Sequence, residues 1–379
     1  MKNRLTIATV LIALSFAYCT DKRIIPESKI QSLYKNSRYL NDTAAFLAGI
    51  DPRPGSSLYP VTRNQEYGLY SKQIDGIWEQ YRTHNLMKIE EWRKANMPDT
   101  GSGAVLYPFS GPDILNALAF FPDADRFIMI GLELPGNIPD PLHYKGSVYA
   151  GLWGMKNALR TILQLNLFRT SEMMADFRSD SYSNITGIMM FFLARYGYDI
   201  LDVRRIHIGR SGMIAYEPSK PAHREAEGVE FLFRKKKGSP VQTACFISAD
   251  LSDGSLSRLR GFAAFLSTQK NFITFTKSAS YLLGYNNFTI LRSFLLAGSR
   301  CIIQEDSGIP FKYFSASEWK ISLYGTYRVI AIFSNRFQRA LDAAMKIKSA
   351  GPLPFSLGYG FVPEKSNLMV AEKIYRSTN

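Results

Sequence analysis

The run Arg126–Leu134 (RFIMIGLEL) restricts the fold more than any other stretch of the chain. Phe127 to Ile130 are four large apolar side chains in a row, and successive strand residues point to opposite faces, so a strand here must be covered on both sides. Upstream, Ala104–Phe109 (AVLYPF) is a second short apolar run. Between the two, Ser110-Gly111-Pro112-Asp113 supplies turn chemistry ahead of a helical stretch from Ile114 to Phe121, with Pro112 at the helix start and Pro122-Asp123-Ala124-Asp125 at its end. Strand, helix and strand in this order make a β-α-β unit, and a sheet buried on both faces needs helices on both.

The remaining pattern extends this unit. Between Gln73 and Asn96, Ile74, Ile77, Trp78, Tyr81, Ile89 and Trp92 fall mostly at helical spacing, which predicts one long amphipathic helix with both tryptophans in the core. Further helices are expected at 148–165, 187–196, 255–266 and 288–297, and strands at 204–208, 272–276, 301–304 and 320–332. Val229–Arg234 and Val241–Ser248 alternate across Lys235-Lys236-Lys237-Gly238 and predict an antiparallel hairpin with a basic, solvated tip. The expected fold class is α/β: a mixed, mainly parallel Rossmann-like sheet flanked by helices, with that one antiparallel hairpin. With 46% hydrophobic residues, a large core is affordable.

The first residues point to export. Lys2 and Arg4 precede the uncharged run Leu5–Phe16, too short to span a bilayer permanently, which is the pattern of a secretory signal. Cys19 follows at once, and Phe16-Ala17-Tyr18-Cys19 resembles the relaxed lipoboxes of spirochaete lipoproteins. That resemblance implies acylation of Cys19 and anchorage to a membrane of the cell envelope; cleavage after Ala17 instead would release a secreted protein. The expected organisation is therefore a signal at 1–18, a tether at 19–60 broken by Pro26, Pro52 and Pro54 and with room for one short helix, and one α/β domain over 61–379 with a break point near 215–227. No later stretch holds eighteen apolar residues in a row.

The net charge of +14 becomes +12 once Lys2 and Arg4 leave with the signal. An anionic envelope or host polyanion is one partner such a surface would attract, and nucleic acid is not expected outside the cytoplasm. Cys245 and Cys301 lie in apolar runs where a free thiol packs as a small hydrophobe, although an oxidising compartment would permit a disulfide. No Cys and His spacing suits a metal, and no cofactor is expected.

Two constellations carry candidate chemistry. In the first, Ser110 and Asp113 stand at the β-α turn and Glu133 ends the second strand, 22 residues after Gly111. A Rossmann unit uses that turn for ligand approach and an acid at that distance for ribose hydroxyls. Residues 104–134 resemble the opening of a Rossmann-fold methyltransferase, with the family's G-x-G-x-G loop reduced to one glycine and a proline. In the second, Glu305, Asp306 and Ser307 follow the apolar Cys301–Ile303, placing two acids and a hydroxyl where a parallel strand ends. LYPFSGPD and QEDSGIP together also resemble a bacterial family of uncharacterised proteins, a likeness that implies no activity. Three functions remain open: a small-ligand or partner-binding domain, a carboxylate-dependent hydrolase or transferase using Asp113, Glu133, Glu305 and Asp306, and a basic adhesin for polyanions. The C-terminal aromatics, Phe311 to Phe337, are expected mainly in the core, and the apolar 351–360 stretch along the body.

Overall fold

The computed structural model describes residues 27–165, 182–217, 225–348 and 351–375. The leader, Cys19 and residues 218–224 of the expected break point lie outside the described residues. The helices are α1 (Glu27–Leu47), α2 (Tyr59–Thr62), α3 (Gln65–Tyr81), α4 (Met87–Asn96), α5 (Ile114–Phe120), α6 (Val148–Leu165), α7 (Ile185–Arg195), α8 (Asp253–Arg258), α9 (Arg260–Ser267), α10 (Thr289–Gly298) and α11 (Arg339–Lys348). The strands are β1 (Ala104–Pro108), β2 (Arg126–Gly131), β3 (Asp199–Ile208), β4 (Ile214–Tyr216), β5 (Ala226–Arg234), β6 (Gln242–Ser248), β7 (Phe272–Thr276), β8 (Ser299–Gln304), β9 (Trp319–Gly325) and β10 (Asn367–Lys373).

All ten strands form one sheet in the order β4-β3-β5-β6-β2-β1-β7-β8-β10-β9. Its middle is parallel: β6–β2, β2–β1, β1–β7 and β7–β8. Both flanks are antiparallel: β4–β3, β3–β5 and β5–β6 on one side, β8–β10 and β10–β9 on the other. The expectation of a mainly parallel sheet with a single hairpin is thereby corrected. The β5–β6 hairpin forms as expected, but it is one pairing within an antiparallel flank.

The central strands distribute their side chains by strict alternation. Val105, Tyr107, Phe127, Met129, Phe246 and Phe275 enter one apolar layer, while Leu106, Ile128, Ile130, Cys245 and Ile247 enter the other. α1, α3, α4, α5, α6 and α7 cover the first face, and α8, α9, α10 and α11 the second. Trp78 packs edge-on against Phe191, and Trp92 against Phe120, Tyr324 and Phe355, so both tryptophans anchor the first layer. Phe355, Leu353 and Leu357 place the 351–360 stretch along the body.

Three further differences have local causes. The expected tether holds α1, whose Ala44, Phe46 and Leu47 are buried; the prolines read as breakers lie on either side of that helix. The single helix expected over 73–96 is α3 and α4 joined through one π-turn at Arg82–Leu86. Arg234, the first residue of the basic run Arg234–Lys237, is buried at the end of β5, leaving Lys235, Lys236 and Lys237 exposed. Cys245 on β6 and Cys301 on β8 are free and four strand spacings apart, about 19 Å. They also face opposite apolar layers, so they cannot pair.

Phe275 is fully buried among Tyr107, Phe120 and Phe121 at ring separations of 4.7, 5.1 and 5.5 Å. Truncation to alanine opens a void that rigid strands and rings cannot fill, so Phe275→Ala is expected to lower unfolding stability by about 3–5 kcal/mol. Urea midpoints of the two proteins test this.

Candidate functional site

The carboxyl ends of β2, β1, β7 and β8 lie side by side on one edge of the sheet. Every candidate residue described falls there. Ser110 and Asp113 follow β1, Glu133 follows β2, and Glu305, Asp306 and Ser307 follow β8. All six are buried, with Asp113 and Ser307 fully so.

Asp113 is committed to holding the site together. Its carboxylate caps α5 through the Asn116 N–H at 3.1 Å and accepts the Asn116 side-chain N–H at 2.9 Å and the Tyr107 hydroxyl at 2.7 Å. Lys277, just past β7 and equally buried, brings its Nζ to within 2.8 Å of the same carboxylate. A buried ammonium without its counter-ion would cost several kcal/mol, so this pair fixes the β1 turn to the end of β7. Pro112 precedes the capping residue rather than occupying the first helical turn. Ser110 turns inward: its N–H reaches the Ile130 carbonyl at 2.9 Å, locking the β1 turn to β2.

The acids after β8 form a second connected group. Glu305 accepts the Ser278 N–H at 2.9 Å and the Ser307 hydroxyl, while Ser307 Oγ accepts the Ala279 N–H at 2.7 Å. Asp306 accepts the Tyr281 hydroxyl and the Asn367 side-chain N–H, the latter at 2.7 Å. Burial, reinforced by the neighbouring Asp306 charge, pushes the Glu305 carboxyl up to about 8. Burial likewise raises Asp306, against the lowering effect of its hydrogen bonds to Asn367 and Tyr281. A cavity of about 10 Å³ beside them, lined by Gln304, Glu305, Asp306 and Gln338, has the room of one water molecule.

Glu133 differs from the other acids. It is 4% exposed, yet its Oε1 has no hydrogen-bond partner. Thr276 Oγ1 at the end of β7 and Ser278 Oγ just beyond it are also buried without partners. Unpaired buried oxygens are uncommon in folded proteins. Backbone strain gathers at the same edge: Phe109, Ser278, Ser280 and Tyr281 hold φ between 51° and 58°, a left-handed conformation that side chains with a Cβ rarely adopt.

The two sequence constellations therefore share one edge, joined through Lys277 and Ser278. Thr276, Lys277, Ser278 and Tyr281 were not among the expected site residues. Lys277 had a legible signal, a lone cation directly after the apolar run Phe272–Thr276, but the other three sit in a stretch of serines and tyrosines resembling any loop. Among the described residues, no group of three or more His, Cys, Asp or Glu is placed to hold a metal ion, and no helix is long and apolar enough to cross a membrane. No protein family, curated protein or solved structure matches the chain.

Because Glu305 holds its proton more tightly folded than unfolded, its stabilising contribution is complete below its ordinary value of 4.5 and is lost as pH rises through about 8. Asp306 acts in the same direction. Unfolding stability should thus decline between pH 5 and 8, and Glu305→Gln should flatten that decline while raising stability at the alkaline end. Urea midpoints across this range provide the measurement; an equal slope in the variant would assign the decline to other groups.

Proposed function

We propose that this is an exported, membrane-tethered α/β protein that binds a small hydroxyl-bearing ligand at the carboxyl ends of β2, β1 and β7. The observation carrying this reading is the presence of three buried, unpaired side-chain oxygens, on Glu133 after β2 and on Thr276 and Ser278 at the end of β7, along one carboxyl edge of the sheet. A carboxylate accepts hydrogen bonds and two hydroxyls can donate or accept, so the set matches a ligand with several hydroxyl or amide groups. Leu132 and Leu134, 58% and 64% exposed, flank Glu133 and offer an apolar lip for the rest of such a molecule.

Strand order supports the same place. The parallel strands β6-β2-β1-β7-β8 follow the 3-2-1-4-5 order of a Rossmann-like sheet, and the chain reverses its direction of travel between β1 and β7. Open α/β sheets bind ligands at that switch point, outside the carboxyl ends of the strands. This order is also what the methyltransferase resemblance of residues 104–134 implies, and it puts Glu133 where an acid meets ribose hydroxyls. The missing glycines of the first turn, with Phe109 and Pro112 in their place, favour a ligand without a pyrophosphate.

A second reading, hydrolysis or group transfer using the acids, draws on Glu305 beside Ser307. Glu305 keeps its proton at neutral pH and would enter such a reaction as the acid, while Asp113, neutralised by Lys277, would position rather than react.

A thermal-melt panel of adenosine, S-adenosylmethionine, glucose and N-acetylglucosamine tests the binding reading. At least one compound should raise the wild-type midpoint. Glu133→Gln should weaken that ligand about 10- to 100-fold, with its own ligand-free midpoint unchanged or higher, because Oε1 makes no internal hydrogen bond for the variant to lose. No shift with any compound, or equal binding by the variant, would count against it. Export with acylation predicts palmitate incorporation that disappears in Cys19→Ala; incorporation that persists in the variant would refute the anchor.

A further inference from the structure

Above Asp306 lies a segment that combines features usually kept apart on a protein surface. The C-terminal aromatics divide here: Phe314, Trp319, Tyr324 and Tyr327 are buried, whereas Phe337 is 39% exposed. Its neighbours Val329 and Ile332 are 54% and 78% exposed, and Ile332 belongs to the 3₁₀ turn Ala331–Arg336. Isolated exposed apolar residues need no explanation, but a large branched side chain left open beside two others on one short segment does.

The charges on the segment itself are positive, although Glu318 and Asp342 flank it and Lys320 and Lys346 are paired with Glu372 and Asp342. From Trp319 to Leu341 the sequence contains Lys320, Arg328, Arg336 and Arg339 and no acid. Arg328 and Arg339 are exposed, and Arg336 lies over the Tyr285 ring at 3.7 Å. At the far end of α11, Ile347 is 79% exposed between Lys346 and Lys348. Apolar side chains rimmed by cations are the arrangement with which a protein enters the headgroup layer of an anionic membrane: the cations meet the lipid phosphates and the apolar groups pass beneath them. A neutral protein partner would account for the apolar residues without the exposed Arg328 and Arg339 beside them.

The segment is also wired to the site. Phe333 packs on Tyr281 at 5.0 Å and on Tyr359 at 5.1 Å, and Tyr281 donates its hydroxyl to Asp306. Gln338 donates to the Asp306 carbonyl at 2.8 Å, accepts the Phe311 N–H at 2.8 Å, and its own N–H reaches the Tyr327 hydroxyl at 2.7 Å. Whatever seats residues 327–339 therefore bears on the roof of the carboxyl-edge crevice.

We propose that residues 327–339 form a membrane-contacting cap that docks the folded body on an anionic lipid surface, independently of any acyl group on Cys19. The cap packs on Tyr281 and Asp306 at the carboxyl edge, so docking turns that edge of the sheet toward the bilayer. The proposal stands on the exposure and charge of this segment and survives if the ligand reading of Glu133 fails.

Hydrogen exchange read by mass spectrometry on the full chain carrying Cys19→Ser tests it, with vesicles of phosphatidylcholine alone or mixed with phosphatidylglycerol. The readout is local, so attachment through the N-terminal leader does not register. Exchange in 327–339 should slow on phosphatidylglycerol vesicles, stay unchanged on neutral ones, and recover in high salt. The Val329→Asp/Ile332→Asp double variant should abolish the protection, and Arg328→Gln/Arg339→Gln should raise the lipid concentration at half-protection by about tenfold or more. Both pairs are largely solvent-facing, and an unchanged thermal melt identifies variants that fold. Equal protection on both vesicle types, none on either, or protection that survives both double variants would overturn the proposal.

Discussion

Strand β1 lies between two parallel neighbours with both faces covered, and this burial governs what its end can do. Tyr107 points into one apolar layer and Leu106 into the other, so the chain leaves the strand where water cannot satisfy its polar groups. Ser110 and Asp113 must find partners inside the protein. Asp113 finds four, and the most demanding is Lys277 from β7. The ion pair is a consequence of the packing as much as a support for it. An apolar pair of the same volume would hold the strands as well or better, so its presence is economical only if the carboxyl edge needs polar groups held in fixed positions.

That edge concentrates costs that the core does not have. Two neighbouring acids are buried after β8, an acid oxygen after β2 lacks a partner, and four non-glycine residues adopt left-handed backbone within the same region. Each is unfavourable alone, by about 1–3 kcal/mol for the strained backbone. They persist because the apolar layers on both faces overdetermine the strand positions. The amino edge is different: a cleft of about 380 Å³ between Arg93–Ser102 and Phe120–Asp123 has a roughly equal share of polar and apolar lining, but β1 leaves it through turn glycines and Asn271 alone brings a left-handed non-glycine backbone to β7 there. A cleft by volume and a site by chemistry thus occupy opposite ends of one sheet.

What the sequence made legible follows from physical range. The β-α-β unit, the β5–β6 hairpin and the paired acids are written in contiguous residues, where periodicity and turn chemistry act over a few positions. Apart from the short β4, which pairs locally with β3, the strands missed or misjudged are those whose identity depends on distant partners. β10, Asn367–Lys373, is polar at both ends and becomes a strand only because β8 and β9 offer edges on either side of it. β9 was expected to run to Ile332, but it ends at Gly325, whose positive φ of 82° and close approach to the Ser366 carbonyl leave no room for a side chain. The site divided in the same way: its acids could be read as motifs, whereas Lys277 and Ser278 acquire meaning only when β7 is placed between β1 and β8.

The roof over the acids is held by a different kind of force from the sheet beneath it. The strands are fixed by two apolar layers, whereas Gln338 and Tyr359 reach the site through polar bonds, to the Asp306 carbonyl and to Ser280 and the Ser278 carbonyl, alongside the packing of Phe333 on Tyr281. Gly358, at φ 59°, sets its backbone so close to Glu305 that a Cβ would lie 2.6 Å from that side chain. Polar bonds of this kind exchange with water at little net free energy, whereas separating packed strands exposes apolar surface. With its acids so covered, the arrangement holds a proton on Glu305 near neutral pH, because burial disfavours the charged carboxylate.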